Sequence, residues 1–132
     1  MGIVASSTAK STAQEWKGEI TSGQHHMLTD EPESLGGQDA GPAPYGFITA
    51  GLASCTMITL RMYAKHKGFD IGEFSVSAEF HANKEGTEWI ERRLHFSTPP
   101  SEEIQQKLLE ISGKTPVTKT LLRSLEIHTQ IA

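Results

Sequence analysis

From Ala40 to Leu60 the chain runs for 21 residues without a charged side chain. Nothing else in the sequence restricts the fold as strongly. Pro44 suits the first turn of a helix, where its missing N–H would have had no partner. Gly68 supplies a C-terminal stop, and Lys65, His66 and Lys67 favour the negative end of the helix dipole. A helix is therefore predicted over 44–67. Phe47, Ile48, Gly51, Leu52, Cys55, Ile58, Leu60, Met62 and Tyr63 cover most of its circumference, and a helix apolar nearly all round is wrapped by protein. The length could span a bilayer. Gly41, Gly46, Gly51, Pro42, Pro44, Thr49, Ser54, Thr56 and Thr59 make it too polar for lipid, so burial inside protein is the better reading.

The rest of the composition sets bounds on this reading. A chain of 132 residues argues for a single domain over 1–132, able to bury a core without staples. Twelve basic against 16 acidic residues leave a net charge of −4, which speaks against nucleic acid as a partner. One cysteine, Cys55, excludes an intramolecular disulfide and any all-cysteine metal site. A lone thiol and no secretory pattern fit a reducing cytoplasm. The start Met1-Gly2-Ile3-Val4-Ala5-Ser6 matches the short myristoylation pattern. Residues 1–12 are small and polar, and a flexible tail is the plainer reading.

Strand patterns flank the helix. Trp16, Gly18 and Ile20 alternate with charged residues, Thr21-Ser22-Gly23 reads as a turn, and 25–29 could return as a second strand. After the helix, Phe74, Val76, Ala78, Phe80 and Ala82 alternate with Glu73, Ser75, Ser77, Glu79 and His81. Ile90, Leu94 and Phe96 form the apolar face of the next strand. A three-residue loop Lys84-Glu85-Gly86 pairs Asn83 with Thr87 and puts Gly where positive φ is needed. It sets Phe80 opposite Ile90, Val76 opposite Leu94 and Phe74 opposite Phe96. A two-residue loop would slip this register and split the apolar face. Arg92 then falls opposite Ala78 on the buried face. Such a guanidinium either covers the sheet end with its stem or awaits an anion.

Two short helices should follow Pro99-Pro100. Ser101 caps the first, Ile104, Leu108 and Ile111 line it, and Gly113 ends it. Thr115 caps the second, with Pro116 at its first position and Leu121, Leu122 and Leu125 along it. Ile127, Thr129 and Ile131 alternate, so the chain should end as a strand.

Cys55 lies mid-helix among Gly51, Leu52, Ile58 and Thr59. An apolar setting makes a thiol inert, and a cysteine there is usually a small core residue. Reactivity would need a cation from another segment, because the helix N-terminus is about three turns away. Arg61, six residues on, points well away from the sulfur. The histidines show no metal-ligand spacing. His25 and His26 are adjacent on a strand and face opposite ways, His81 and His95 sit near opposite ends of the hairpin, and no pair is spaced i, i+4.

The segments Gly36-Gly37-Gln38-Asp39-Ala40-Gly41-Pro42-Ala43-Pro44-Tyr45-Gly46-Phe47, Ala50-Gly51-Leu52-Ala53-Ser54-Cys55-Thr56 and Thr59-Leu60-Arg61-Met62-Tyr63-Ala64 closely resemble the OsmC/Ohr family. The likeness resumes at Thr115-Pro116-Val117-Thr118-Lys119-Thr120-Leu121, where many relatives have Cys-Pro-Val-His-x-Thr-Leu. The resemblance implies an α+β fold with antiparallel sheets and a long buried central helix, intertwined with a second copy as a homodimer. Active members of the family are thiol peroxidases for organic hydroperoxides, reset by a thiol reductant. In them an arginine and a glutamate hold the attacking thiolate and orient the peroxide, and a second cysteine resolves the sulfenic acid.

Cys55 matches the attacking, peroxidatic position. Thr115 stands at the resolving position, and a hydroxyl cannot form a disulfide; its plainer role is to cap a helix. Tyr45 and Gly46 replace the glutamate, Thr118 replaces the histidine, and no arginine precedes Arg61. Arg92 or Arg61 is left as a stand-in cation. The resemblance therefore implies a one-cysteine thiol peroxidase using an external thiol; no cofactor is expected, and the histidine spacing gives no reason to expect a metal. The alternatives are a catalytically inactive dimer holding a small hydrophobic molecule, with Phe47, Met57, Met62 and Tyr63 on offer as lining or as dimer core, and a redox sensor.

Overall fold

The computed structural model describes residues 2–132. The chain forms two compact units, one up to Ile48 and one over Thr49–Ala132.

The first unit is a three-stranded antiparallel sheet of β1 (Ser7–Ser11), β2 (Gly18–Ser22) and β3 (His25–Thr29), in that order. Residues 7–11 thus correct the reading of 1–12 as a flexible tail. The side chains of Ser7, Thr8, Ala9, Lys10 and Ser11 are all exposed, so no apolar alternation advertises the strand, and backbone pairing with β2, Ala9 opposite Ile20, carries it. β2 and β3 meet with Ser22 opposite His25. The chain reverses through Gly23 at φ +60°, a conformation that favours glycine. After β3 comes a 3₁₀ turn over Glu33–Leu35. The loop around it is gathered by Asp30, which is only 3% exposed. Its carboxylate accepts the N–H groups of Glu31, Gln38 and Ala40 at 2.8, 3.0 and 3.2 Å. Burial pushes the Asp30 carboxyl upward, but those three N–H groups, helped by the charge of Lys17, outweigh it and hold the group below its usual 3.8.

The long helix α1 occupies Pro44–Lys67, as the sequence predicts. It ends on Gly68 at φ +77°. There the N–H of Phe69 donates to Ala64 O at 2.8 Å and that of Gly68 to Lys65 O at 3.2 Å, the paired bonds of a Schellman stop. By length and composition α1 could cross a bilayer. Leu52, Thr56, Leu60 and Ala64, spaced by four, are instead buried within the chain. The chain's own atoms bury this stripe fully, and Cys55 and Tyr63 in part. Met57, Ile58 and Met62 remain exposed, so the wrapping expected for an all-round apolar helix is not supplied by one copy alone.

In the second unit β4 (Phe74–Ala82) and β5 (Glu88–Phe96) form an antiparallel hairpin. Its register pairs Phe80 with Ile90, Ala78 with Arg92, Val76 with Leu94 and Phe74 with Phe96. Gly86 sits at φ +86°, and the Asn83 N–H donates to Thr87 O at 3.0 Å. Helix α2 (Glu102–Ser112) is capped by Ser101, whose side chain accepts from Ile104 N. Helix α3 (Pro116–Leu121) is capped by Thr115, with Pro116 leading it. Gly113 follows α2 at φ −74°, not in the left-handed region, because a second helix starts almost at once. Leu60, Ala64, Ile71 and Leu108 form the buried core, flanked by Tyr63, Phe69, Phe74, Leu94, Phe96, Ile104 and Ile111. The Phe74 and Phe96 rings stack at 5.8 Å across the hairpin.

The closing strand is a second correction. Residues 124–132 form no strand, and Ile127 and Ile131 are 85% and 101% exposed. Alternation alone cannot make a strand, because the backbone needs an edge to pair with.

Candidate functional site

Three elements of the second unit converge on one guanidinium. Alternation along β5 places Arg92 on the same face as Ile90 and Leu94, opposite the small Ala78. Its Nη1 donates to Thr56 Oγ1 and to Thr118 Oγ1, each at 2.9 Å, and its Nη2 donates to Ser112 O, also at 2.9 Å. The group thereby joins α1, the end of α2 and the first turn of α3. All three acceptors are neutral. Among the described residues no carboxylate lies within ion-pair distance of it.

The acceptors are themselves oriented. Thr56 is wholly buried, and its hydroxyl donates to Leu52 O at 2.7 Å. With that proton committed, the oxygen can only accept from Arg92. Thr118 Oγ1 lies 2.6 Å from Thr115 Oγ1 and 3.2 Å from Ser112 O. Its single proton serves one of these, and its lone pairs serve the guanidinium. Thr115, also 0% exposed, accepts the Thr118 N–H at 3.3 Å.

Cys55 precedes Thr56 on α1 and is half-buried. Its Sγ stands 3.9 Å from Thr59 Oγ1, one turn on. Burial holds the Arg92 guanidinium below its ordinary range, and an electrostatic interaction with Cys55 draws it partly back. Arg92, Thr118 and Thr115 are thus linked by hydrogen bonds, and Cys55 enters only as the chain neighbour of Thr56, which takes one of the Arg92 bonds. Arg61 does not join them. Its guanidinium lies over the Phe74 ring, 5.0 Å from the centroid.

Of the apolar side chains considered as a lining, Tyr63 packs against the core with its ring edge-on to Phe69, while Met57 and Met62 face outward. An open cleft of about 580 Å³ lies elsewhere, in the first unit between 3–8 and 21–23. It is lined by small polar and aliphatic residues such as Val4, Ser7 and Thr21 and contains no titratable side chain. Among the described residues no group of three His, Cys, Asp or Glu side chains could hold a metal ion. His81 instead stacks on Trp89 at 5.3 Å, and His95 meets Ser77 at 3.3 Å.

Thr56 and Ser112 escaped the sequence reading. One signal was there for Thr56: it is the lone hydroxyl in the stripe Leu52, Thr56, Leu60, Ala64, and a buried hydroxyl needs partners. Nothing in the sequence marks the Ser112 carbonyl.

The OsmC-like protein family matches residues 36–130, most of the chain. The chain belongs to the OsmC-like family. The fold of this OsmC-like chain is shared by solved structures of low sequence identity. An OsmC-like protein of Mycoplasma pneumoniae superposes with TM-score 0.73 at 19% identity, covering 92% of this chain and 89% of that one. An organic hydroperoxide resistance protein OsmC of Legionella pneumophila gives 0.64 at 17%, covering 90% and 89%. An organic hydroperoxide resistance protein of Elizabethkingia anophelis, with crystallant-derived thiocyanate bound, gives 0.65 at 22%, covering 91% and 89%. No curated protein matches this OsmC-like chain.

Proposed function

We propose that this OsmC-like protein is a one-cysteine thiol peroxidase for small organic hydroperoxides, with Cys55 as the attacking thiol and Arg92 as its activating cation. The observation that carries the reading is the Arg92 guanidinium: it is bonded to the hydroxyl of the residue beside Cys55 and has only neutral acceptors. A positive charge held in a partly desolvated place favours the thiolate, which is the nucleophile. Two solved structures that share the fold are named as organic hydroperoxide resistance proteins, which supports the substrate class.

The Cys55 thiolate attacks the terminal oxygen of RO–OH. The S–O bond forms as the O–O bond breaks, the sulfur gives up two electrons, and the alkoxide takes a proton from water and leaves as the alcohol. An external thiol then attacks the sulfenic sulfur, a mixed disulfide forms and water departs. A second thiol releases Cys55 and carries away the external disulfide. This second half of the cycle lies outside the chain because Thr115, at the resolving position, carries a hydroxyl, which cannot form a disulfide and instead caps α3. Electrons come from thiols, and no bound cofactor takes part. The protein works as a homodimer in a reducing cytoplasm, where such thiols are plentiful, without membrane or nucleic acid as partner.

The test is direct. Purified protein is mixed with tert-butyl hydroperoxide and a sulfenic-acid trap, and the Cys55 peptide is weighed. A trapped sulfenic adduct at modest oxidant excess, lost in Cys55→Ser, is the expected result. An unmodified thiol ends the peroxidase reading.

The second reading is a dimer that holds a small hydrophobic molecule, or senses oxidants, without turnover. Tyr45 and Gly46, where hydroperoxide-reducing relatives carry glutamate, favour it. Thermal stabilisation by apolar acids, with Cys55 unreactive, would distinguish it.

A further inference from the structure

We infer that Thr56 and Thr118 are positioning residues: their hydroxyls fix the Arg92 guanidinium against α1 at the residue that follows Cys55, doing with two neutral oxygens what a carboxylate partner would do with a charge. This inference rests on the reading of Arg92 as the activating cation, and names what holds that cation in place.

The geometry is over-determined in a way that simple packing does not require. An arginine on the inner face of a small hairpin could lay its stem along the sheet and send its head to water. Arg92 does not. Both N–H groups of its Nη1 are taken, one by each threonine, and its Nη2 reaches a backbone carbonyl. Both hydroxyls have another use for their only proton, Thr56 toward Leu52 O and Thr118 toward Thr115 Oγ1 or Ser112 O. Each is therefore a committed acceptor, and the guanidinium plane is set by donors and acceptors of fixed sense.

The choice of neutral acceptors matters for charge. A glutamate in either position would pair with Arg92 and cancel most of the field at the sulfur. Threonine oxygens satisfy the N–H groups and leave the full positive charge available. Of the five N–H donors of a guanidinium, three are used by this chain's oxygens. Other charges stand apart. On β4 and β5, Glu79, His81, Glu91, Arg93 and His95 lie on the opposite face by alternation, and Glu79 is paired with Arg93. Glu88 shares the face of Arg92 but sits exposed at the start of β5. On α1, Arg61 is over Phe74, and Lys65, His66 and Lys67 lie in its last turn. On α2, Glu102 and Glu103 lie in its first turn, Lys107 is exposed on its middle, and Glu110 pairs with Lys114. Lys119, in the last turn of α3, completes the set.

The experiment reads the rate of Cys55 alkylation by iodoacetamide against pH, which reports the thiolate and has a single possible target in this chain. Thr118→Val keeps the shape and removes the acceptor. It should move the alkylation midpoint to higher pH and lower the rate at pH 7 by about threefold to tenfold. Thr118→Ser restores the hydroxyl and should restore the wild-type curve. Thr56→Val and Thr56→Ser form an independent pair, useful if one valine variant folds poorly by circular dichroism. A valine curve that coincides with wild type, or moves to lower pH, overturns the positioning role when Arg92→Met still shifts the curve upward. If Arg92→Met itself leaves the curve in place, the activating role of Arg92 falls and this inference falls with it.

Discussion

At the scale of single residues, the chemistry turns on substituting one kind of oxygen or nitrogen for another. Arg92→Lys keeps the charge but loses the fork that reaches three acceptors at once. Peroxide consumption in the presence of an external thiol should fall about tenfold, because a lysine cannot be held at the same place. Arg92→Met removes the charge and strands the acceptors of Thr56, Thr118 and Ser112. A loss of about 2 kcal/mol in urea unfolding is expected, alongside loss of the proposed peroxide consumption. Thr115→Ala should cost about 1 kcal/mol through the lost cap and leave the sulfenic acid yield at Cys55 intact. A variant that stopped the first oxidation step would show that Thr115 does more than cap. Reading Arg92 as an inward guanidinium needed only the alternation of β5. Its acceptors were not legible, because α1, α2 and α3 supply them from positions 20 to 36 residues away, and no local pattern encodes such a meeting.

Among the elements, those with strong periodicity and clear punctuation were readable to the residue. Helix α1 has Pro44 at one end and Gly68 at the other, and the hairpin has a glycine at the one loop position that needs positive φ. β1 was missed because every one of its side chains is exposed. The ending strand was predicted from Ile127, Thr129 and Ile131 and is absent because pairing, not alternation, makes a strand. The loop from β3 to α1 carries a pH signature. The Asp30 carboxyl is held below 3.8 in the folded protein, so its contribution is complete above that value and is lost as pH falls through the folded-state value. Asp30→Asn should lower Tm by about 5 °C at pH 7, and the gap to wild type should close only below pH 3.8. Melting curves of both proteins across that range check the sign. In the core, Leu108→Ala removes a wholly buried side chain and should cost about 3 kcal/mol.

For the whole molecule, the helix that dominates the sequence is only half explained by one chain. Its stripe of Leu52, Thr56, Leu60 and Ala64 is buried, while Ile58 and Met62 are 44% and 66% exposed. A second copy packed on that side would account for an apolar face that solvent does not favour. Sedimentation equilibrium should give a dimer for the native protein, and Met62→Glu should weaken it at least tenfold by setting a charge in an apolar contact; a native monomer would remove that explanation. The single sulfur has a cost at the same scale. On the proposed one-cysteine peroxidase reading, Thr115 cannot seal the sulfenic acid as a disulfide, and the lifetime of that acid is set by the thiol supply outside the protein. A second hydroperoxide arriving first would carry Cys55 to a sulfinate, an anion that no thiol reverses. Arg92, which has no carboxylate of its own among the described residues, would then meet a permanent counter-ion, and the molecule would be retired in proportion to oxidant dose.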